Sequence, residues 1–177
     1  AFGTGQVLER LEEIVAKAHA AGALVLVDTY HAAGVIPLQM ATAEVDFMIG
    51  GSYKYTRGGP GACWLAIHPR VDSLNLAPID TGWFAKKNPF SYVREDAPDY
   101  ALGGDGWLES TPPILPYYQA EAGLALTLEL GVDRIRAYSL QQQAEMRESF
   151  REAEIPIVVP QNPSEFGGFS LLPHKDS

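Results

Sequence analysis

The spacing of hydrophobic residues divides the first part of the chain into a helix and three strands. Apolar residues recur at helical spacing over residues 7–18, and Ala21-Gly22 predicts where this helix ends. Continuous apolar runs at residues 23–27, 45–49 and 62–67 predict three short strands, the first buried on both faces. A helix followed by a buried strand is half of an α/β unit. We therefore expect ligands to bind beyond the carboxyl ends of the strands.

The middle of the chain has a weaker pattern. Residues 72–106 show no clear period, and such a long irregular run in a compact domain is usually functional or disordered. Pro112-Pro113 predicts the start of a helix that ends before Gly131, with Ser110 and Thr111 as candidate caps.

The last part of the chain is more polar. A charged helix is predicted over residues 132–154, followed by short strands at residues 156–160 and 168–172. The shift in composition near residue 131 predicts a boundary. We expect residues 1–130 to form part of a large α/β domain and residues 131–177 to begin a smaller α+β domain.

Composition and charge argue against several classes of partner. The net charge of −9 and the absence of a basic stripe argue against nucleic acid and anionic membranes. No apolar run approaches the ~20 residues of a membrane span. The single cysteine, Cys63, rules out an internal disulfide framework and is typical of a reducing compartment. We expect a cytoplasmic protein. Because the sequence lacks an initial methionine and stops just after a predicted strand, we also expect a fragment.

Two ionisable residues follow predicted strands. Lys54 lies between two tyrosines and precedes a glycine-rich loop, a setting that weakens the usual interpretation as a solvated lysine and leaves it balanced against a carbonyl-trapping amine. Asp28 ends the first strand, where an unpaired carboxylate would be costly. It would either pair with a pyridinium nitrogen or cap the turn that follows. The pair suggests a pyridoxal-phosphate enzyme with Lys54 as its Schiff-base lysine.

Other residues admit simpler interpretations. His31 follows Asp28 by three residues, but the remaining histidines show no metal-ligand spacing, so a hydrogen-bonding or structural role is favoured. The loop at residues 58–61 lacks the ending of a P-loop and is interpreted as a tight turn passing close to a ligand. Cys63 lies in an apolar run and is expected to be packed. There is no Gly-x-Ser-x-Gly elbow for a serine hydrolase.

The order of these motifs resembles the class V aminotransferase superfamily, and within it the kynureninases. The matching segments are residues 18–28, 31–38 and 45–47, then Ser-Tyr-Lys54-Tyr and Gly58-Gly-Pro-Gly61. Kynureninases share Asp-x-x-His where many relatives have Asp-x-x-Gln, and Tyr-Lys where cysteine desulfurases usually have His-Lys. Gly82-Trp-Phe and Ser110-Thr-Pro-Pro-Ile also resemble kynureninase segments.

The resemblance implies a fold and a set of site residues. The fold would be the three-layer, mostly parallel α/β sheet of a fold type I pyridoxal-phosphate enzyme. Lys54 would be the catalytic lysine that bonds to the cofactor and afterwards moves protons. Asp28 would pair with the pyridine nitrogen, His31 would lie against the cofactor, and Tyr53 would donate its hydroxyl to the phosphate. Phosphate binding, in part across a dimer interface, would also involve Trp83 and Thr111.

The implied reaction is hydrolysis of L-kynurenine, or its 3-hydroxy form, to the corresponding anthranilate and L-alanine, a step of tryptophan catabolism and NAD biosynthesis. The enzyme would act on this small amino acid as a homodimer with shared active sites. The family's substrate-binding arginine and amino-terminal phosphate loop find no match in the chain, so we expect the chain alone to be inactive. Two alternatives stay open: another class V activity (aminotransferase, desulfurase or epimerase), or a noncatalytic binding or dimerisation module.

Overall fold

A computed structural model describes residues 5–94 and 96–175. Its α-helices and strands follow in the order α1 (Leu11–Ala20), β1 (Leu26–Asp28), α2 (Met40–Ala43), β2 (Phe47–Gly51), β3 (Cys63–Ile67), α3 (Ile114–Leu130) and α4 (Val132–Glu152). In the described parts of residues 72–106 the regular structure consists of short 3-10 helices and an isolated bridge between Lys86 and Tyr100, without a longer element. In the described ranges, no helix is both long enough and apolar enough to cross a membrane.

The three strands form a mixed sheet in the order β1-β2-β3. β1 and β2 are parallel, with Asp28 opposite Ile49, and β3 runs antiparallel to β2, with Cys63 opposite Gly51. The predicted α/β class is confirmed. The division into domains at residue 130 stays a prediction.

The core lies between α1 and one face of the sheet. Its most buried members are Val15, Val45, Met48 and Ala43, and partly buried side chains from α1, β1 and β3 pack around them. The prediction that β1 is buried on both faces is wrong, because Leu26 is 55% exposed. In the described residues β1 is an edge strand, paired only with β2 and covered by α1 on one face.

A buried carboxylate ties α1 to the sheet. Asp46, which directly precedes β2, has no exposed surface and accepts hydrogen bonds from the Val25 N–H (2.7 Å) and from His19 Nε2 (3.0 Å). The Arg70 guanidinium forms an ion pair with the same carboxylate. Burial alone would raise the pKa of Asp46, but the Val25 amide, His19 and Arg70 together lower it below its ordinary value. No pattern in the sequence pointed to this group.

The glycine-rich loop packs against α3. A Cβ on Gly58 would lie 2.8 Å from the Ala120 Cα, and one on Gly123 would lie 2.5 Å from the Arg57 carbonyl. The close backbone approach predicted for this loop is therefore to a helix of the same chain. Ser110 and Thr111 do not cap α3, because the helix begins only after Pro113, whose backbone is extended.

The last residues are held to α4 by side chains rather than by a sheet. The strands predicted at residues 156–160 and 168–172 are wrong: their regular pairing is a single antiparallel bridge between Val158 and Leu171. Gln143 donates to the Gly167 carbonyl at 2.9 Å, and Arg147 lies over the Phe166 ring at 4.2 Å. The predicted helix at residues 132–154 is confirmed as α4.

Candidate active site

The sheet brings the two predicted ionisable residues to one edge. Asp28 is the last residue of β1, and Lys54 follows the end of β2 by three residues. Because β1 and β2 are parallel neighbours, both strand ends lie at the same edge. Thr29, which directly follows β1, also links this strand end to β2, since its buried hydroxyl donates to the Ile49 carbonyl at 2.6 Å.

Lys54 is half-buried and contacts an imidazole and two aromatic rings. Its amine is hydrogen-bonded to His31 Nε2. The Nζ atom also lies over the rings of Tyr53 and Tyr30, at 5.5 and 5.9 Å from their centroids. An ammonium can donate to Nε2 only when the imidazole is neutral with its hydrogen on Nδ1. The contact places the Lys54 amine and the His31 imidazole within hydrogen-bond reach of each other.

The His31 ring and the Asp28 carboxylate each contact another residue. The His31 ring packs edge-on against Phe169, with 5.3 Å between ring centroids. Asp28 is exposed, and its Oδ1 accepts from the Tyr30 N–H at 2.9 Å. The turn-capping role that the sequence left open for Asp28 is thus present. In the described part of the chain its second oxygen makes no hydrogen bond, so it is available to a ligand.

Tyr30 is a site residue that sequence reasoning missed. Its hydroxyl donates to Cys63 Sγ at 3.1 Å, and its ring lies 5.6 Å from the Tyr53 ring. The hydrogen bond to Cys63, with smaller effects from burial and neighbouring groups, raises the pKa of Tyr30 to about 12. The prediction that Cys63 is packed is wrong, because the thiol is exposed. The available signal was the position of Tyr30 between Asp28 and His31.

The remaining predicted residues lie elsewhere in the structure. Trp83 belongs to an aromatic cluster with Phe84, Phe90 and Tyr92, at centroid distances of 4.5, 5.3 and 6.2 Å. Thr111 is exposed shortly before α3. The contacts that the structure gives Lys54 include neither residue. The phosphate-binding roles of Trp83, Thr111 and Tyr53 stay predictions.

The side chains at the carboxyl ends of β1 and β2 fit pyridoxal phosphate better than they fit a metal ion. A primary amine, an imidazole and an exposed carboxylate with a spare oxygen are the groups that this cofactor needs for its aldehyde and its ring nitrogen. Among the described residues, no group of three or more His, Cys, Asp or Glu side chains is arranged to hold a metal ion. The single hydrogen of the Ser52 hydroxyl is not free to bind phosphate, because the hydroxyl lies within hydrogen-bond distance of the Gly59 and Ala62 carbonyls, to either of which it can donate.

Comparison with known proteins agrees with this assignment. The family model described as aminotransferase class-V matches residues 3–166. The kynureninase of Xanthomonas campestris pv. campestris (strain B100) is 35% identical over 173 residues, which cover 94% of this chain and 40% of that protein. The chain therefore spans about two fifths of the length of the curated relatives it matches.

Solved structures support the fold. The apo cysteine desulfurase of Thermococcus onnurineus NA1 superimposes with a TM-score of 0.78 at 21% identity, covering 94% of this chain and 40% of that one. The cystine C-S lyase C-DES, solved with cysteine persulfide, gives 0.73 at 26% identity, with coverage of 93% and 43%. These neighbours are fold type I enzymes, and the family implies pyridoxal phosphate as cofactor. The chain belongs to the class V aminotransferase family.

Proposed function

We propose that this protein, in its full-length form, is a pyridoxal-phosphate-dependent hydrolase similar to kynureninase. It would cleave L-kynurenine or 3-hydroxykynurenine, with water, to the corresponding anthranilate and L-alanine. The observation that carries the proposal is the contact between Lys54 and His31 at the edge where Asp28 ends β1. The 35% identity to a kynureninase supports the choice of substrate.

Lys54, His31 and Asp28 each have a distinct role in this proposal. Pyridoxal phosphate, when bound, supplies an electron sink for a substrate carbanion. The Lys54 amine would bond to the cofactor aldehyde and, once released, would hold or deliver a proton at Nζ. The His31 Nε2 atom is hydrogen-bonded to that amine and would hold it in position. Asp28 would keep the pyridine nitrogen protonated through its second carboxylate oxygen.

We also propose that the enzyme is a homodimer with shared active sites, in which Trp83 and Thr111 would approach the phosphate held by a partner subunit. Two surfaces support this. Trp83 is 36% exposed at the centre of its aromatic cluster. On α3, an open groove of about 610 Å³ is lined mostly by apolar and aromatic side chains, together with Glu121, and Leu128 and Tyr118 are 79% and 71% exposed. A helix that is apolar on several faces is typical of one that is covered in the assembled protein.

A second candidate, cysteine desulfurase or a related sulfur lyase, is favoured by one observation. The solved structures that resemble this chain include a cysteine desulfurase and a cystine C-S lyase. The Asp-x-x-His and Tyr-Lys54 motifs argue for the kynureninase alternative. Only turnover separates the two.

The first experiment measures cofactor attachment in the full-length protein. Pyridoxal phosphate is added to the parent, to Lys54→Ala and to Lys17→Ala, which removes an exposed lysine of α1 as a matched control. We expect a visible absorbance band, and a mass increase on Lys54 after borohydride reduction, in the parent and the control only. A free-aldehyde spectrum in all three would contradict the proposal and favour a noncatalytic module.

The second experiment assigns the substrate. Release of anthranilate and alanine from kynurenine is compared with release of alanine and sulfide from cysteine, the latter with dithiothreitol present as the two-electron reductant that converts the released sulfur to sulfide. Activity on kynurenine alone supports the hydrolase, and activity on cysteine alone supports the desulfurase.

For the dimer, co-expressed Lys54→Ala and Trp83→Ala subunits should regain activity that neither variant has by itself. Without such complementation, the shared site would be refuted.

A further inference from the structure

Tyr30 is held by two hydrogen bonds, one at its backbone and one at its hydroxyl, at the edge where β1 and β2 end. Its backbone N–H donates to Asp28, at the end of β1, and its hydroxyl donates to Cys63, the first residue of β3. Between these points the ring passes over the end of β2: a Cβ on Gly51 would lie 2.5 Å from the Tyr30 Cε1 atom. Because Gly51 pairs with Cys63 in the β2–β3 register, this one residue contacts the ends of all three strands, β1 through its backbone and β2 and β3 through its side chain.

This arrangement places an aromatic wall beside the reactive amine. The Tyr30 ring is tilted by 47° against the Tyr53 ring, and Lys54 Nζ lies 5.9 Å from its centroid. A molecule that bonds to Nζ is therefore brought against this ring. With its pKa raised to about 12, the phenol stays protonated at neutral pH and donates to Cys63 instead of acting as a base. Its contribution is to orientation.

We propose that Tyr30, anchored by the Cys63 thiol, is a positioning residue that fixes the orientation of the cofactor ring attached to Lys54. The inference rests on the proposed function, because it requires a cofactor at Lys54. It gives Cys63, which is exposed and isolated in sequence from the other site residues, a role in the site.

The test measures binding and orientation in the full-length protein without reference to turnover. Tyr30→Phe removes the hydroxyl and keeps the ring, and Cys63→Ala removes the acceptor. Tyr138→Phe, on an exposed face of α4, is the matched control for loss of a phenol. The dissociation constant of pyridoxal phosphate is measured together with the visible circular dichroism of the bound cofactor, which reports how its ring is held.

We expect Tyr30→Phe and Cys63→Ala each to weaken binding by about threefold to tenfold, the value of one hydrogen bond, and to reduce the dichroism per bound cofactor. The double variant should be no weaker than either single one, because both remove the same bond. The control should match the parent.

Two failures are distinguishable. If the parent forms no borohydride-stable adduct on Lys54, the proposed function fails and this inference fails with it. If the parent and Tyr30→Phe both form the adduct with equal affinity and equal dichroism, only the role of Tyr30 is overturned. The same holds if the effects of Tyr30→Phe and Cys63→Ala simply add, since the two residues would then act independently.

Discussion

Replacing Asp46 with asparagine tests what the buried carboxylate contributes to local stability. The side chain has no exposed surface and accepts from the Val25 N–H, from His19 and from Arg70. Asparagine keeps the shape but loses the charge, and it turns one acceptor oxygen into an NH2 donor. At least one of the three surrounding donors then faces another donor inside the protein.

The expected cost is about 2–3 kcal/mol. Removing one partner of a fully buried ion pair costs ~3–5 kcal/mol. Here the Arg70 side chain is 35% exposed, so its charge recovers part of its hydration and the cost falls below that range. The bond from the Val25 amide weakens by about 1 kcal/mol when its acceptor is no longer charged, and this is included in the figure.

Amide hydrogen exchange measured by mass spectrometry, in the full-length protein, can test this figure. A loss of 2–3 kcal/mol corresponds to exchange about 30-fold to 150-fold faster in peptides from α1 and β2, which the Asp46 group joins. Asp80→Asn, at an exposed position, is the control and should exchange like the parent. If Asp46→Asn changed exchange in these peptides by less than about threefold, the buried network would contribute no net stability and our reasoning would be refuted.

The same group predicts how stability depends on pH. Burial raises the pKa of Asp46, but the Val25 amide, His19 and Arg70 outweigh it, so the folded pKa lies below the ordinary value of 3.8. A depressed pKa stabilises the folded state above pH 3.8, and this contribution is lost as the pH falls through the folded pKa. Acid unfolding followed by tryptophan fluorescence should therefore depend less steeply on pH in Asp46→Asn than in the parent. Equal slopes would contradict the assignment.

Three further substitutions have outcomes that follow from local geometry. Gly123→Ala should destabilise α3 by about 1–3 kcal/mol in thermal unfolding, because the clash with the Arg57 backbone outweighs the ~1 kcal/mol gain in helix propensity. Gly51→Ala should lower the dichroism of the bound cofactor as Tyr30→Phe does, because the added methyl displaces the Tyr30 ring; unchanged dichroism would contradict this. Lys87→Ala removes an exposed ion pair to Asp99 and should shift stability by less than about 0.5 kcal/mol in urea unfolding.

The sequence predicted those features of the fold and of the site that depend on local residue patterns. Helix α4 and the approximate positions of the three strands follow from apolar patterns, and α3 follows from the prolines before it and the glycine after it. The placement of Asp28 and Lys54 at one edge of the sheet follows from the rule for strand ends. Contacts between side chains far apart in sequence left no such pattern. Arg70 reaches Asp46 across 24 positions, and Tyr30 reaches Cys63 across 33. The strands predicted near the end of the chain failed because their apolar runs are short: one is limited by Pro156 and Pro160, and the other ends at Pro173.

The antiparallel direction of β3 has a consequence for the site that a wholly parallel sheet would not provide. In parallel neighbours, the residues at the edge where the strands end are all last residues of strands, each followed by a loop that leaves the sheet. β3 instead begins at that edge, so its first residue, Cys63, lies beside the last residue of β2, Gly51. The glycine loop that returns the chain is packed on α3, which fixes where β3 starts. Tyr30 can therefore hydrogen-bond to Asp28 through its backbone N–H and to Cys63 through its hydroxyl only because β3 runs antiparallel to β2.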